Sequence, residues 1–156
     1  MKVSELMTSP VITARENTAV ADVARLMLSK DVSGIPIVDD RQHLVGIVTE
    51  GDLVIQNANV HFPTFLQILD ARIYLTSTRH FEEELRRALG TTAADMMTRD
   101  VLTVRLDDDI SEAATLMADK LVNPVPVVDG ERLVGIIDRS DIIRHILTEY
   151  EDRAKA

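Results

Sequence analysis

The sequence predicts a mixed α/β fold of the α+β type, in which one β-α-β-β-α unit is written twice around a helical insert. Three observations carry this prediction. Long runs of residues recur in the same order in the two halves of the chain. Each half alternates short β-rich runs with one helix-period apolar stripe. The stretch between the halves lacks the repeat but keeps helical spacing. The chain of 156 residues then divides into a first repeat at 1–58, an insert at 59–90, a second repeat at 91–150 and a C-terminal tail at 151–156.

The repeat is read directly from the residues. Met7-Thr8 recurs as Met97-Thr98, Val11 as Val101, Thr13 as Thr103 and Arg15 as Arg105. Leu26-Met27 returns as Leu116-Met117, Val32 as Val122, Pro36 as Pro126 and Val38-Asp39 as Val128-Asp129. After a one-residue deletion, Leu44-Val45-Gly46-Ile47 returns as Leu133-Val134-Gly135-Ile136, and Asp52 as Asp141. Chance does not produce this many ordered matches.

Each unit opens with a short extended piece, residues 10–14 in the first copy. A helix follows, with Thr18 as N-cap and Val20, Val23, Ala24, Met27 and Leu28 on one face. In the second copy Asp108 or Asp109 caps, and Ile110, Ala113, Ala114, Met117 and Ala118 repeat the stripe. Two β-rich runs come next, Ile35–Val38 and Val125–Val128, closed by turns at Asp39-Asp40 and Asp129-Gly130. Pro36 and Pro126 cannot donate to a ladder, which places each at a strand start or on an edge. The Leu-Val-Gly-Ile run is the hairpin partner, and a closing helix starts near Asp52 or Asp141. The resulting small sheet needs its apolar face covered by helices and by the other unit.

The insert is too long for a structureless loop. Phe62, Phe65, Leu66, Leu69 and Ile73 share one helical face; Phe81, Leu85, Ala88 and Leu89 share another. Pro63 fits a first turn, and Glu82-Glu83-Glu84 suits a helix start. Two readings stand: a helical hairpin packed on its own domain, or a dimerisation surface, since all three phenylalanines of the chain lie here.

Composition narrows the function. With 46% hydrophobic and 28% charged residues the chain reads as globular, and with 3% aromatics its core must be aliphatic. A net charge of −9 disfavours nucleic acid or an anionic membrane as the main partner. Cysteine is absent, so disulfides, thiol catalysis and thiolate zinc sites are excluded. The first residues have no continuous apolar run of a signal peptide, and no run approaches the ~20 residues of a membrane span. A cytoplasmic location is the expectation.

The repeated pattern of Met-Thr, then Ile35-Pro36-Ile37-Val38-Asp39 or Val125-Pro126-Val127-Val128-Asp129, then Leu-Val-Gly-Ile-x-x-x-x-Asp, resembles the cystathionine-β-synthase (CBS) domain. Two in tandem resemble a Bateman module. The resemblance covers both repeats and omits the insert. It implies two units packed by their sheets about a pseudo-twofold axis, with two clefts that often bind adenosine nucleotides or related adenosyl compounds. It also implies a homodimer of modules.

The residues add physical reasons of their own. Thr49 and Asp52 stand where a strand passes into a helix, so free backbone N–H groups face what lies beyond. A carboxylate can accept from both hydroxyls of a ribose diol, and a threonine hydroxyl can donate to a phosphate oxygen. Ile47 and Val122 could sandwich a flat base. The same Thr-x-x-Asp spacing also fits a capping box, and the two roles are compatible.

By resemblance, each cleft draws on both repeats. One takes Ile47, Thr49, Gly51 and Asp52 with Thr98, Thr103, Val122 and Asn123. The other takes Ile136, Asp138, Ser140 and Asp141 with Thr8, Thr13, Val32 and Ser33. In the second, Asp138 stands where Thr or Ser is usual, and its charge repels a phosphate unless a cation such as Mg²⁺ intervenes. The Asp52 cleft is therefore the favoured nucleotide site, and Arg139 and Arg144 are candidates to offset Asp138.

Other candidates carry less. His43, His61, His80 and His145 have no metal-ligand spacing, and no metal site is expected. The methionines fall mostly at core positions, and Asp107-Asp108-Asp109 reads as capping with solvation. No P-loop, Gly-x-Gly-x-x-Gly or Gly-x-Ser-x-Gly occurs, and no catalytic residue is assigned. The leading function is a regulatory module that binds an adenosine-containing ligand, of the AMP, ADP, ATP or S-adenosylmethionine type, and signals through dimer geometry. The alternative is a non-binding dimeric scaffold that works through the insert. The downstream protein partner is not identifiable from the residues.

Overall fold

In the computed structural model, residues 1–57 and 92–155 are described. The expectations for the insert, including the faces built on Phe62, Phe65 and Leu69 and on Phe81 and Leu85, lie outside the described residues. So do His61 and His80.

The first repeat runs α1 (Val3–Leu6), α2 (Val20–Lys30), β1 (Gly34–Val38), β2 (Leu44–Thr49) and α3 (Glu50–Asn57). The second runs α4 (Ala93–Met96), β3 (Val104–Arg105), α5 (Ile110–Asp119), β4 (Val125–Asp129), β5 (Arg132–Ile137) and α6 (Arg139–Lys155). Helix α6 continues to Lys155, so residues 151–155 of the expected tail are helical. Each β-hairpin is antiparallel, with Pro36 opposite Ile47 and Pro126 opposite Ile136. The opening strand is short: β3 pairs parallel with β4, and its counterpart in the first repeat is a single bridge from Ala14 to Ile37.

Pro36 lies on β1, an edge strand of the two-stranded β1-β2 sheet, as the sequence expected, whereas Pro126 lies inside β4, the central strand of β3-β4-β5. The Ala14 N–H donates to the Pro36 carbonyl at 3.1 Å, so the Pro36 nitrogen faces the same flank. That flank carries only the short opening segment, so the missing N–H breaks no bond to β2.

The units exchange their first segments. Val3, with Leu6 and Met7 beside it, packs into the core of the second repeat with Val104, Met117, Val127 and Ile137. Ala93, Met96 and Met97 pack into the core of the first with Val23, Met27, Ile35 and Val48. Backbone bonds fix the exchange: Thr8 pairs with Ile136 at 2.8 and 3.1 Å, and Thr98 with Ile47 at 2.9 and 3.0 Å. The recurrent glycine of Leu-Val-Gly-Ile makes this docking possible. A Cβ built on Gly46 would overlap the Met97 side chain, and one on Gly135 would overlap Met7. Met-Thr and Leu-Val-Gly-Ile are therefore two halves of one contact, made across repeats. The hairpins also meet directly, with Leu44 N–H donating to the Glu131 carbonyl and Leu133 N–H to the Gln42 carbonyl, each at 3.0 Å.

Several local expectations change. Thr18 does not cap α2; Ala19 precedes it, and the Thr18 hydroxyl accepts from the Arg15 N–H at 2.9 Å, closing the preceding turn. Leu28 is 61% exposed, because the eighth position of the stripe rotates past the covered face. Ala118 is exposed for the same reason. Asp109 is the cap of α5, accepting from the Ser111 N–H at 3.0 Å, while Asp108 accepts from the Arg105 N–H. The Ser111 backbone N–H, with its hydroxyl, holds the Asp109 carboxyl down to about 2. Helices α3 and α6 begin at Glu50 and Arg139, two residues before the expected aspartates.

Candidate functional site

Strand β2 ends at Thr49 and α3 begins with the next residue, so Asp52 sits in the first helical turn. The Asp52 Oδ2 accepts from the Thr49 N–H at 2.8 Å and from the Thr49 hydroxyl at 3.1 Å. The Asp52 N–H in turn donates to Thr49 Oγ1 at 3.3 Å. The capping box is real, and it commits the Thr49 hydroxyl proton to Asp52. Asp52 Oδ1 and the Gly51 N–H have no hydrogen-bond partner among the described residues, and these are the groups left for a ligand.

They face a cavity of about 490 Å³ between the repeats, within the size range of small-molecule sites. Seven of the eight residues expected there line it: Ile47, Thr49, Gly51, Asp52, Thr98, Val122 and Asn123. Thr103 does not. It lines a separate hollow with His43 and Glu131, because it precedes the inward-facing Val104 and so points to the opposite side of the strand. Further lining residues were not singled out from the sequence, Glu50, Asp100, Leu102, Leu121 and Pro124 among them, while Ser33 and Arg139, which the sequence assigned to the Asp141 cleft, line this cavity as well. Arg139 is the second-repeat counterpart of Glu50, so the repeat alignment points it to the Asp141 cleft rather than to this one. Leu121 is 79% exposed and holds a φ of 55, a left-handed conformation unusual for leucine.

The second cleft is much smaller, about 100 Å³, and is lined by Thr8, Val32, Ser33, Ile136, Asp138 and Asp141. Thr13 and Ser140 do not line it. Asp138 Oδ1 accepts from the Ser140 N–H at 2.7 Å, the Ser140 hydroxyl at 2.6 Å and the Asp141 N–H at 3.2 Å. Asp141 is buried at 7% exposure; its Oδ2 accepts from the Asp138 N–H and its Oδ1 pairs with Arg144 at 3.1 Å. The first-turn donors that α3 leaves open are thus consumed at α6. Arg144 bonds Asp141 and Ser140, and Arg139 faces the other cavity, so neither offsets Asp138 as the sequence suggested.

The two clefts touch at the axis between the repeats. Asn123 Nδ2 donates to Ser33 Oγ at 3.2 Å, and Asn123 Oδ1 accepts from the Arg139 N–H at 3.0 Å. Ser33 and Pro124 line both cavities.

The sequence profile of the CBS domain matches residues 3–56 and again 93–148. The chain belongs to the CBS domain family. The described fold is that of a tandem CBS pair, a Bateman module. MJ1426, an uncharacterized protein of Methanocaldococcus jannaschii, is 32% identical over 155 residues, covering 94% of this chain and 92% of that protein. Other relatives are longer: this chain spans 32% of MJ1404 from the same organism and 57% of the chloroplastic CBSX2 of Arabidopsis thaliana. Among solved structures, CBSX2 in complex with AMP superposes with a TM-score of 0.70 at 28% identity, covering 94% of this chain and 97% of that one. The CBS pair of MJ0100 in complex with 5′-methylthioadenosine and S-adenosylmethionine also gives 0.70, at 26% identity, covering 96% and 98%. Among the described residues, no cluster of three or more metal-ligating side chains occurs, and no helix is long and apolar enough to cross a membrane.

Proposed function

We propose that this CBS pair is a non-catalytic regulatory module of the cytoplasm that binds an adenosine-containing ligand in the Asp52 cleft. The observation that carries the reading is the inter-repeat cavity of about 490 Å³, with Asp52 Oδ1 and the Gly51 N–H unpaired at its wall. Asp52 accepts the ribose hydroxyls, Ile47 and Val122 flank the base, and the Leu121 side chain forms an apolar lip. The complexes of CBSX2 with AMP and of the MJ0100 pair with adenosyl compounds support the class of ligand. The Asp141 cleft, narrower and internally bonded, is the weaker site.

Signalling requires that the ligand bind two inter-unit arrangements unequally. A second copy of the chain supplies the output surface. Ile143, Ile146, Leu147 and Tyr150 form an exposed apolar stripe on α6, which a monomer leaves in water.

Calorimetric titration of AMP, ADP, ATP and S-adenosylmethionine, with and without Mg²⁺, tests the reading. Asp52→Ala lowers affinity about tenfold or more, the scale of one hydrogen bond to a charged group. Asp141→Ala leaves the affinity within about twofold, below the scale of any such bond. Binding weaker than millimolar for every compound, or a larger loss with Asp141→Ala, overturns it. The scaffold alternative predicts instead that no nucleotide moves the melting temperature.

A further inference from the structure

The wall of the Asp52 cavity carries three carboxylates, Glu50, Asp52 and Asp100, against one guanidinium, Arg139. Arg139 has no ion-pair partner among the described residues, so it does contribute a positive charge, but the formal balance stays negative. Glu50 occupies the first position of α3, where it cancels the favourable dipole that a helix start offers an anion. Its own N–H is already bonded to the Ser33 carbonyl at 3.0 Å. The Asp52 N–H is bonded to Thr49, which leaves the Gly51 N–H as the single open donor of that turn. A polyphosphate entering this cleft meets two exposed carboxylates, one cation and one amide. The apolar lining, by contrast, is well supplied by Ile47, Leu102, Leu121 and Val122.

We infer that the cleft selects adenosyl ligands whose 5′ substituent carries no net negative charge, such as a nucleoside, a thioether or a sulfonium, over phosphorylated nucleotides. This rests on the adenosyl-binding reading above and narrows its ligand class. A triphosphate is accepted only when a divalent cation masks its charge. Each carboxylate–phosphate pair held several ångströms apart near the surface weakens binding on the order of tenfold at low ionic strength.

The test is titration of adenosine, 5′-methylthioadenosine, S-adenosylmethionine, AMP and ATP against the full chain in EDTA, at about 20 mM and about 300 mM salt. Across that range the screening length falls severalfold. The expected result is ATP at least about tenfold weaker than adenosine at low salt, with AMP between them. ATP affinity should rise with salt, S-adenosylmethionine affinity should fall, and adenosine should hardly change. Glu50→Gln combined with Asp100→Asn should narrow the ATP-to-adenosine gap to about threefold or less. ATP binding as tightly as adenosine in EDTA, or weakening as salt rises, overturns the inference while leaving the adenosyl-binding reading intact. Failure of adenosine and S-adenosylmethionine as well would instead refute that reading, so the two failures are distinguishable.

Discussion

Adding one methyl group at Gly46 tests whether the recurrent Met-Thr and Leu-Val-Gly-Ile words form one contact. A Cβ at Gly46 overlaps the Met97 sulfur and Cγ and comes to 3.1 Å from the Thr98 carbonyl oxygen. That carbonyl is bonded to the Ile47 N–H, so the backbone cannot yield without stretching the inter-repeat pair. Overpacking of this kind costs about 1–3 kcal/mol. Met97→Ala, at a side chain 8% exposed within the first core, costs about 2–5 kcal/mol by the void it leaves. The two changes are complementary, because the methyl group enters space that Met97 vacates. The double variant should therefore cost less than the sum of the singles by about 1–2 kcal/mol. Urea denaturation read as midpoint shifts at constant slope measures all three terms. Strict additivity, within about 0.5 kcal/mol, would show that the glycine is there for another reason and refute the docking argument.

Three further outcomes are expected. Asp109 has its carboxyl lowered to about 2, so its contribution to stability is present above the ordinary aspartate value of about 4 and is lost as pH falls toward 2. Asp109→Asn keeps the cap acceptor and removes the titration, so its acid-unfolding curve should be shallower over that range; curves parallel to wild type would contradict the assignment. Leu121→Asn suits the left-handed backbone better, by about 1 kcal/mol, and removes the apolar lip. Its melting temperature should therefore rise while adenosine affinity falls, and a fall in melting temperature would disprove the strain argument. Ile146→Glu on the α6 stripe should convert a dimer to a monomer by light scattering; a monomeric wild type would remove the dimer from the mechanism.

The repeat made most of the architecture legible in the sequence. Stripes such as Val20, Val23, Ala24 and Met27, and hairpins closed at Asp39-Asp40 and Asp129-Gly130, depend on local periodicity and turn chemistry. Thr49–Asp52 was legible for the same reason, since its bonds span three residues. What local pattern could not supply was the partner of each short segment. The exchange of α1 and α4 between cores depends on Met7 and Met97 finding glycines far away in the chain, and no window of sequence contains both. Thr103 was assigned to the cleft by its place in the repeat, but strand parity turns it away from the inward Val104. Leu121 was missed and Arg139 was assigned to the Asp141 cleft because each lines the cavity of the other repeat, where neither carries a recurring motif letter.

The inequality of the clefts follows from one strand-end residue more than from the fold. Thr49 and Asp138 occupy equivalent places after Gly46-Ile47-Val48 and Gly135-Ile136-Ile137, and the backbone turns the same way at both. A threonine hydroxyl has one proton and accepts one amide here, so the turn stays partly open. The Asp138 carboxylate, with more acceptor capacity and a full charge, gathers the Ser140 N–H, the Ser140 hydroxyl and the Asp141 N–H. Two aspartates then stand close together at one helix start, and of the two Arg144 pairs with Asp141 alone. Each step removes a group that a ligand would otherwise use. The second unit is thereby closed by its own electrostatics, and the first stays open because Thr49 brings no charge to its helix start. What separates the two clefts is which repeat satisfies its own helix start and which does not.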